Sequence, residues 1–294
     1  MLFPKDFKPH PVLKPYIKCH WTLEGSVGNS GSGRKPISWR KQFLSDAGLK
    51  LSFNLADPVD FILQNNRVMR AFKGSASGVL TKNYWVCLTG STKRIGVQFH
   101  PGGAYPFFPF SVKTLTDGIF NLEGIWGKSG RLLTEDIQRP GLTTLERIER
   151  MEAFLIERLE QFEKNDPAFN RVAQVIRTKQ GQVSLEKLAR DMGLSLKQLE
   201  RKFHEKSGIP PKRLCRILRF RYLFEHITAH PTDKWVDTSL TCGYYDQAHL
   251  INDFKLFTGM SPAAFIREIV NRDLLINWGY DMEALAGFGT SIAA

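Results

Sequence analysis

Two segments, F-H-E-K-S-G-I-P-P-K-R-L (Phe203 to Leu214) and F-K-L-F-T-G-M-S-P-A-A-F (Phe254 to Phe265), superpose at an offset of 51 residues. They match at the leading Phe, at Gly208 and Gly259, at Pro211 and Pro262, and in the apolar last residue. The offset holds upstream, where Ser195 pairs with Asp246 and Leu199 with Leu250. Each copy reads as a helix opened by an N-capping side chain, with a buried stripe at i and i+4: Leu199 and Phe203 in one, Leu250, Phe254 and then Phe257 in the other. Further upstream A-R-D-M-G (189–193) answers S-L-T-C-G (239–243), with one extra residue in the second turn. Ser184 caps the helix before the first turn, and Ser195 with Gln198 forms a capping box after it. Helix, Gly-containing turn, helix is the layout of a helix-turn-helix, and this chain holds two in tandem.

Between the copies runs P-P-K-R-L-C-R-I-L-R-F-R-Y-L-F-E-H-I, helical after prolines that suit a first helical turn. A continuous helix is a stiff spacer. A duplex presents its major groove on one face every ~34 Å, so two rigidly linked helices could enter adjacent turns without a second chain. The charge balance fits such a partner. With 41 Lys and Arg against 29 Asp and Glu the formal charge is +12, which favours a polyanion, either nucleic acid or an anionic membrane surface.

The four cysteines, at 19, 87, 215 and 242, contain no C-x-x-C pair and no zinc-cage spacing, and are expected as reduced thiols of a cytoplasmic protein. No run of 18 apolar residues and no secretory h-region is present, so no membrane partner is expected.

From about Tyr16 to Phe110 the chain reads as short strands: Y-I-K-C-H-W-T-L, L-K-L-S-F-N-L, D-F-I-L-Q, V-M-R-A-F, Y-W-V-C-L-T and R-I-G-V-Q-F-H. Turn formers at 25–34, at Asn65-Asn66 and at 101–103 separate them. After Thr143 the period changes: Leu145, Ile148, Leu155, Leu159 and Phe162 mark an amphipathic helix with Thr143 and Glu146 as its capping box. That helix either packs on the strands or pairs with a second copy. The expectation is an α+β two-domain chain: a β-rich, barrel-like or sandwich-like domain with helices, then an all-α domain of two helix-turn-helix units joined by a linker helix. The expected divisions are residues 1–142 as the effector-sensing domain, 143–166 as a connecting helix, 167–270 as the DNA-binding domain and 271–294 as a tail.

The run C-G-Y-Y-D-Q-A-H-L-I-N-D-F-K-L-F-T-G-M-S-P-A-A-F (242–265) resembles the AraC/XylS-type transcriptional regulators, whose pattern is Gly, an aromatic, polar residues, His, an apolar residue, then F-K-x-x-x-G-x-S-P. The likeness spans roughly residues 170–268. The strand region, through P-Y-I-K-C-H-W and G-V-Q-F-H-P-G-G-A (96–104), is similar to an uncharacterised N-terminal domain found in part of that family. The resemblance implies a DNA-binding transcription regulator acting with the transcription machinery. It also implies an N-terminal domain that senses a small molecule or mediates association, with a homodimer through that domain and residues 143–163. It implies no cofactor and no catalysis. The family usually has Arg at the position of Asn252 and Phe at that of Leu250, so this chain departs from the pattern in its second unit.

On the first recognition helix the buried stripe leaves Lys197, Gln198 and Arg201 outward as candidate base readers; on the second, Gln247, His249 and Asn252. Arg can read guanine, and Gln or Asn adenine, through paired hydrogen bonds. Candidate phosphate contacts are Lys187, Arg190, Lys202, Lys212, Arg216, Arg219 and Lys255. Residues 171–221 hold 14 Lys or Arg against 4 Asp or Glu, whereas residues 222–267 hold 3 against 5, so the first unit should supply most of the phosphate attraction.

Two other classes compete. A DNA-repair alkyltransferase would need an activated cysteine, and a non-specific architectural protein would bind all sequences alike. A cupin-like metal site is disfavoured, because no H-x-H occurs. No G-x-S-x-G or Walker-type loop appears either. The strand aromatics Trp21, Trp39, Phe53, Phe61, Trp85 and Phe99 read first as core, and no effector pocket is assigned.

Overall fold

The computed structural model describes residues 2–26, 39–43, 47–63, 67–82, 84–88, 90–162, 166–230, 233 and 235–265. The tail at 271–294, residues 27–34 of the turn-rich run at 25–34, and Asn65-Asn66 lie outside them.

The first part is built on two antiparallel sheets. The larger one is ordered β1 (Leu2–Phe7), β2 (Ile17–Ser26), β9 (Ser91–Phe99), β4 (Lys50–Asn54), β7 (Gly74–Ser77), β10 (Ile119–Asn121). The smaller is ordered β3 (Trp39–Phe43), β8 (Tyr84–Leu88), β5 (Val59–Leu63), β6 (Val68–Arg70). Both sheets stay open, so the barrel alternative gives way to a two-sheet arrangement.

Pairing fixes which side chains share a face. Phe53 lies opposite Ile95 and Leu51 opposite Val97, and with Phe99 they form one apolar face. It is covered by α1 (Leu122–Trp126), α2 (Lys128–Ile137) and α3 (Thr144–Phe162). On α3 Ile148, Met151 and Leu155 are buried in this core, so the helix packs on the strands, while Leu145 of the expected stripe stays 61% exposed. Glu146 and Thr143 close the expected box, the Thr143 N–H donating to Glu146 Oε2 at 2.7 Å and the Glu146 N–H to Thr143 Oγ1 at 3.3 Å. The opposite sheet face carries Arg94, Gly96 and Ser52 and looks toward Phe61 of the smaller sheet.

The second part is all helix: α4 (Pro167–Thr178), α5 (Leu185–Asp191), α6 (Leu196–Ser207), α7 (Pro211–Ala229), α8 (Trp235–Thr241) and α9 (Gln247–Thr258). Its core runs from Phe169 through Leu199, Phe203, Phe220 and Phe224 to Leu250, Phe254 and Phe265. The repeat is visible in detail. Both turns close with the same hydrogen bond, Leu194 N–H to Ala189 O at 2.9 Å and Tyr244 N–H to Ser239 O at 3.0 Å. Both recognition helices end on a left-handed glycine, Gly208 at φ 84° and Gly259 at φ 80°, where a Cβ would be strained. Just before each glycine a hydroxyl bonds back one turn: Ser207 Oγ to Phe203 O at 2.8 Å, Thr258 Oγ1 to Phe254 O at 2.7 Å.

The two parts meet along the first unit. Ser111 Oγ donates to Glu205 O at 2.6 Å and Thr116 Oγ1 to Gly208 O at 2.7 Å, taking up carbonyls at the C-terminal end of α6. Arg177 donates to Pro101 O at 3.0 Å, Arg213 to Thr81 O, and Ala47 and Val79 sink into the helical core. Among the described residues no helix is long and apolar enough to cross a membrane.

Candidate nucleic-acid interface

The N-terminal half of α6 and the start of α7 wall an open groove of about 870 Å³ lined by Ser195, Lys197, Gln198, Glu200, Arg201, His204, Pro210, Lys212, Arg213 and Arg216. Five of these carry fixed positive charge and one negative, so the groove is an anion attractor. Its geometry follows from the local sequence. Leu199 and Phe203 are buried and turn the helix so that Lys197 and Arg201, one turn apart, face out. Pro210 and Pro211 then start α7 at once, bringing Lys212 beside them.

Ser195 accepts from Gln198 N–H at 3.3 Å, and Gln198 Oε1 accepts from Ser195 N–H at 2.9 Å, which fixes where the helix starts. Ser184 and Asp246 cap α5 and α9 through Lys187 N–H at 3.1 Å and His249 N–H at 2.7 Å.

The box limits Gln198 as a base reader. Pairing with adenine needs its oxygen and its amide N–H together, and the oxygen is engaged by Ser195. Arg216, expected at a phosphate, is bound instead through Nε (2.9 Å) and Nη2 (2.5 Å) to Asp253 Oδ1, a carboxylate with no solvent exposure. It ties the linker helix to the second unit. Arg219 likewise turns toward that unit, over the Tyr244 ring at 5.8 Å and within 3.5 Å of Gly243 O. Lys187, Arg190, Lys202 and Lys212 are exposed.

On α9 the residues Gln247, Asn252 and Lys255 are exposed, while His249 is half-buried with its ring edge-on to Tyr244 at 5.3 Å. Arg213 was not among the expected contacts, whereas His204 shares the outward face of α6 with Lys197 and Arg201. Arg213 lies over Phe257 at 5.1 Å, so one side chain touches the groove, α9 and the N-terminal part. Its position one residue after Lys212 was the available signal. Burial and the nearby Lys113 hold His204 below its ordinary range, so it joins the groove as a neutral ring at neutral pH.

No disulfide joins the four cysteines, and burial pushes the Cys19 and Cys215 thiols up to about 11 and that of Cys242 to about 12, the reverse of an activated thiolate. Among the described residues no cluster of His, Cys, Asp or Glu could hold a metal ion.

A helix-turn-helix domain model matches residues 188–268, and a domain of unknown function, DUF6597, matches residues 5–121. No curated protein matches the chain. Among solved structures, ToxT from Vibrio cholerae is 10% identical over 79% of this chain and 94% of its own, with a TM-score of 0.40. ToxT bound to an unsaturated fatty acid is 9% identical over 79% and 96%, with a TM-score of 0.40. The AraC-like transcriptional activator CuxR is 12% identical over 76% and 86%, with a TM-score of 0.27. The tandem capped helices and the matched domain mark the second part as a helix-turn-helix module of the DNA-binding class.

Proposed function

We propose that this protein is a sequence-specific, cytoplasmic regulator that reads two adjacent major-groove sub-sites, with α6 as the dominant reader and α9 as the weaker one. The division into a sensing part (1–142), a connecting helix (143–166) and a DNA-binding part (167–270) belongs to the same proposal, as does modulation of DNA binding by a small molecule. The cationic groove between α6 and α7 carries the reading, because it gathers Lys197, Arg201 and Lys212 on the face that a helix-turn-helix presents to DNA. Association through residues 143–163 has less support, since Ile148, Met151 and Leu155 of α3 are used within its own fold. The buried thiols count against alkyl transfer, and the reading assigns no chemical reaction.

Lys197 and Arg201 are the base readers of the first unit, and Lys187, Arg190, Lys202 and Lys212 its phosphate contacts. Gln247, His249 and Asn252 face bases from the second unit, with Lys255 at the backbone. The test is a pair of substitutions measured on specific and random duplex. Arg201→Ala should relax preference at one position, and Lys212→Ala should weaken all sequences alike and lower the salt slope by about 1. Equal losses on both duplexes for Arg201→Ala would remove it from the base readers. Comparable affinity for every sequence would favour the architectural reading, since a regulator should show a specificity ratio of about 10³ or more.

A further inference from the structure

The face of the larger sheet that turns away from the main core holds a charge without a partner. Arg94 on β9 is 6% exposed, and among the described residues no carboxylate pairs with it. Its Nη2 donates to Ser52 Oγ at 3.1 Å, Ser52 Oγ lies 3.0 Å from Ser75 Oγ, and all three side chains are buried. The guanidinium lies 5.5 Å from the Trp21 ring centroid and 5.6 Å from that of Phe61, which places it between the two sheets. Gly96 makes room for this arrangement: a Cβ there would stand 2.6 Å from the Trp21 ring and 2.1 Å from Leu51 O.

Two buried donors in this cluster, Arg94 Nε and Trp21 Nε1, have no acceptor. Arg and Trp side chains can only donate, so among the described residues these two N–H groups lack an acceptor and the guanidinium, beside Tyr84, lacks a carboxylate. Burying a cation without either is costly, and the aromatic faces offset only part of that cost. A water molecule could accept both hydrogen bonds but would leave the charge unbalanced.

We propose that Arg94 and Trp21, between the two sheets, bind a small organic monocarboxylate with an aromatic or aliphatic body, whose carboxylate accepts from both while its body lies against Trp21 and Phe61. A planar carboxylate matches the guanidinium fork, and a single central guanidinium between aromatic rings suits a monoanion with an apolar body better than a strongly hydrated phosphate. The site would serve as the effector site of the regulator proposed above, and it rests on that reading for its purpose. A route to the DNA-binding part is built into β7: Ser75 stands in the cluster, and four residues later Val79 is packed in the helical core.

The test titrates the full chain with phenylacetate, cinnamate and hexanoate, with their uncharged amides and with inorganic phosphate, following melting temperature, tryptophan fluorescence and heat of binding. The expected result is stabilisation and a fluorescence change with at least one carboxylate and none with its amide. Arg94→Met should weaken that binding at least tenfold, and Trp21→Phe several-fold.

A response to amides equal to that of the acids, a response to phosphate alone, or no response to any carboxylate overturns the proposal. So does Arg94→Met that keeps the carboxylate response. If Arg94→Met fails to fold, Trp21→Phe and Arg94→Lys decide, because unaltered carboxylate affinity in both variants overturns it. DNA affinity is measured on the same preparation. DNA binding without a carboxylate response overturns this site alone, and carboxylate binding without any DNA affinity supports the site while removing the regulator reading.

Discussion

The two helix-turn-helix units share caps, turns, stripes and terminal glycines, yet they differ in what surrounds them. The first opens its recognition helix onto a groove of fixed positive charge, and the far end of that helix is held by Ser111 and Thr116 of the N-terminal part. The second exposes Gln247 and Asn252 on an acidic background and is held to the linker helix through the buried Asp253. Repetition of a backbone device therefore does not carry repetition of its job. The apolar positions are duplicated because each unit must bury the same stripe. The outward positions are free to diverge.

The sharpest way to break the comparison is to cut the second unit loose. Asp253→Ala leaves Arg216 without its partner and should cost about 3 kcal/mol, toward the lower end for a buried pair because Arg216 keeps some solvent contact. Chemical denaturation should show the loss, and an unchanged midpoint would mean that the pair contributes little. Next comes Arg201→Ala, which should lose about 1–3 kcal/mol of discrimination at one base position, whereas Asn252→Ala should lose less in the same binding assay. Asn252→Arg sharpens the contrast from the other side: a cation on the outward face of α9 should tighten DNA binding severalfold at low salt and steepen its salt dependence.

A smaller effect is expected at the joint. Ser111→Ala with Thr116→Val removes two hydrogen bonds to the end of α6, each worth about 0.5–1.5 kcal/mol, and should speed amide exchange there without touching α9. A separate acid effect is expected away from both units. Burial, Arg177 and Lys18 hold His100 at about 4 against an ordinary 6.5. Between those values the unfolded chain takes up a proton that the folded chain refuses, so this contribution is complete above pH 6.5 and is lost as pH falls toward 4. Melting temperatures should decline over that window, and less steeply in His100→Asn.

Much of this was legible in the sequence because it is written in periods and caps. The strands at 16–23, 49–55, 60–64, 68–72, 84–89 and 94–100 all correspond to observed ones, and the repeat gave both units. The strand G-S-A-S of β7 was invisible, since small residues carry no β signature, although all four are buried and a Cβ on Gly74 would collide with Thr134. Gln198 and Arg216 show a second limit: an outward polar side chain can be taken by a neighbour that only the folded backbone brings near. Arg94 shows a third. It stands in the run R-I-G-V-Q-F, but its face could not be assigned before the pairing with Asn54 and Leu23 was known.

The most direct test of unequal reading is selection of bound duplexes from a randomised library at about 150 mM salt, where electrostatic binding no longer hides base preference. The account predicts one strongly enriched block, lost in Arg201→Ala, with a weaker block about one helical turn away. Two blocks of equal strength, or a dominant block that survives Arg201→Ala and disappears in Asn252→Ala, would contradict it.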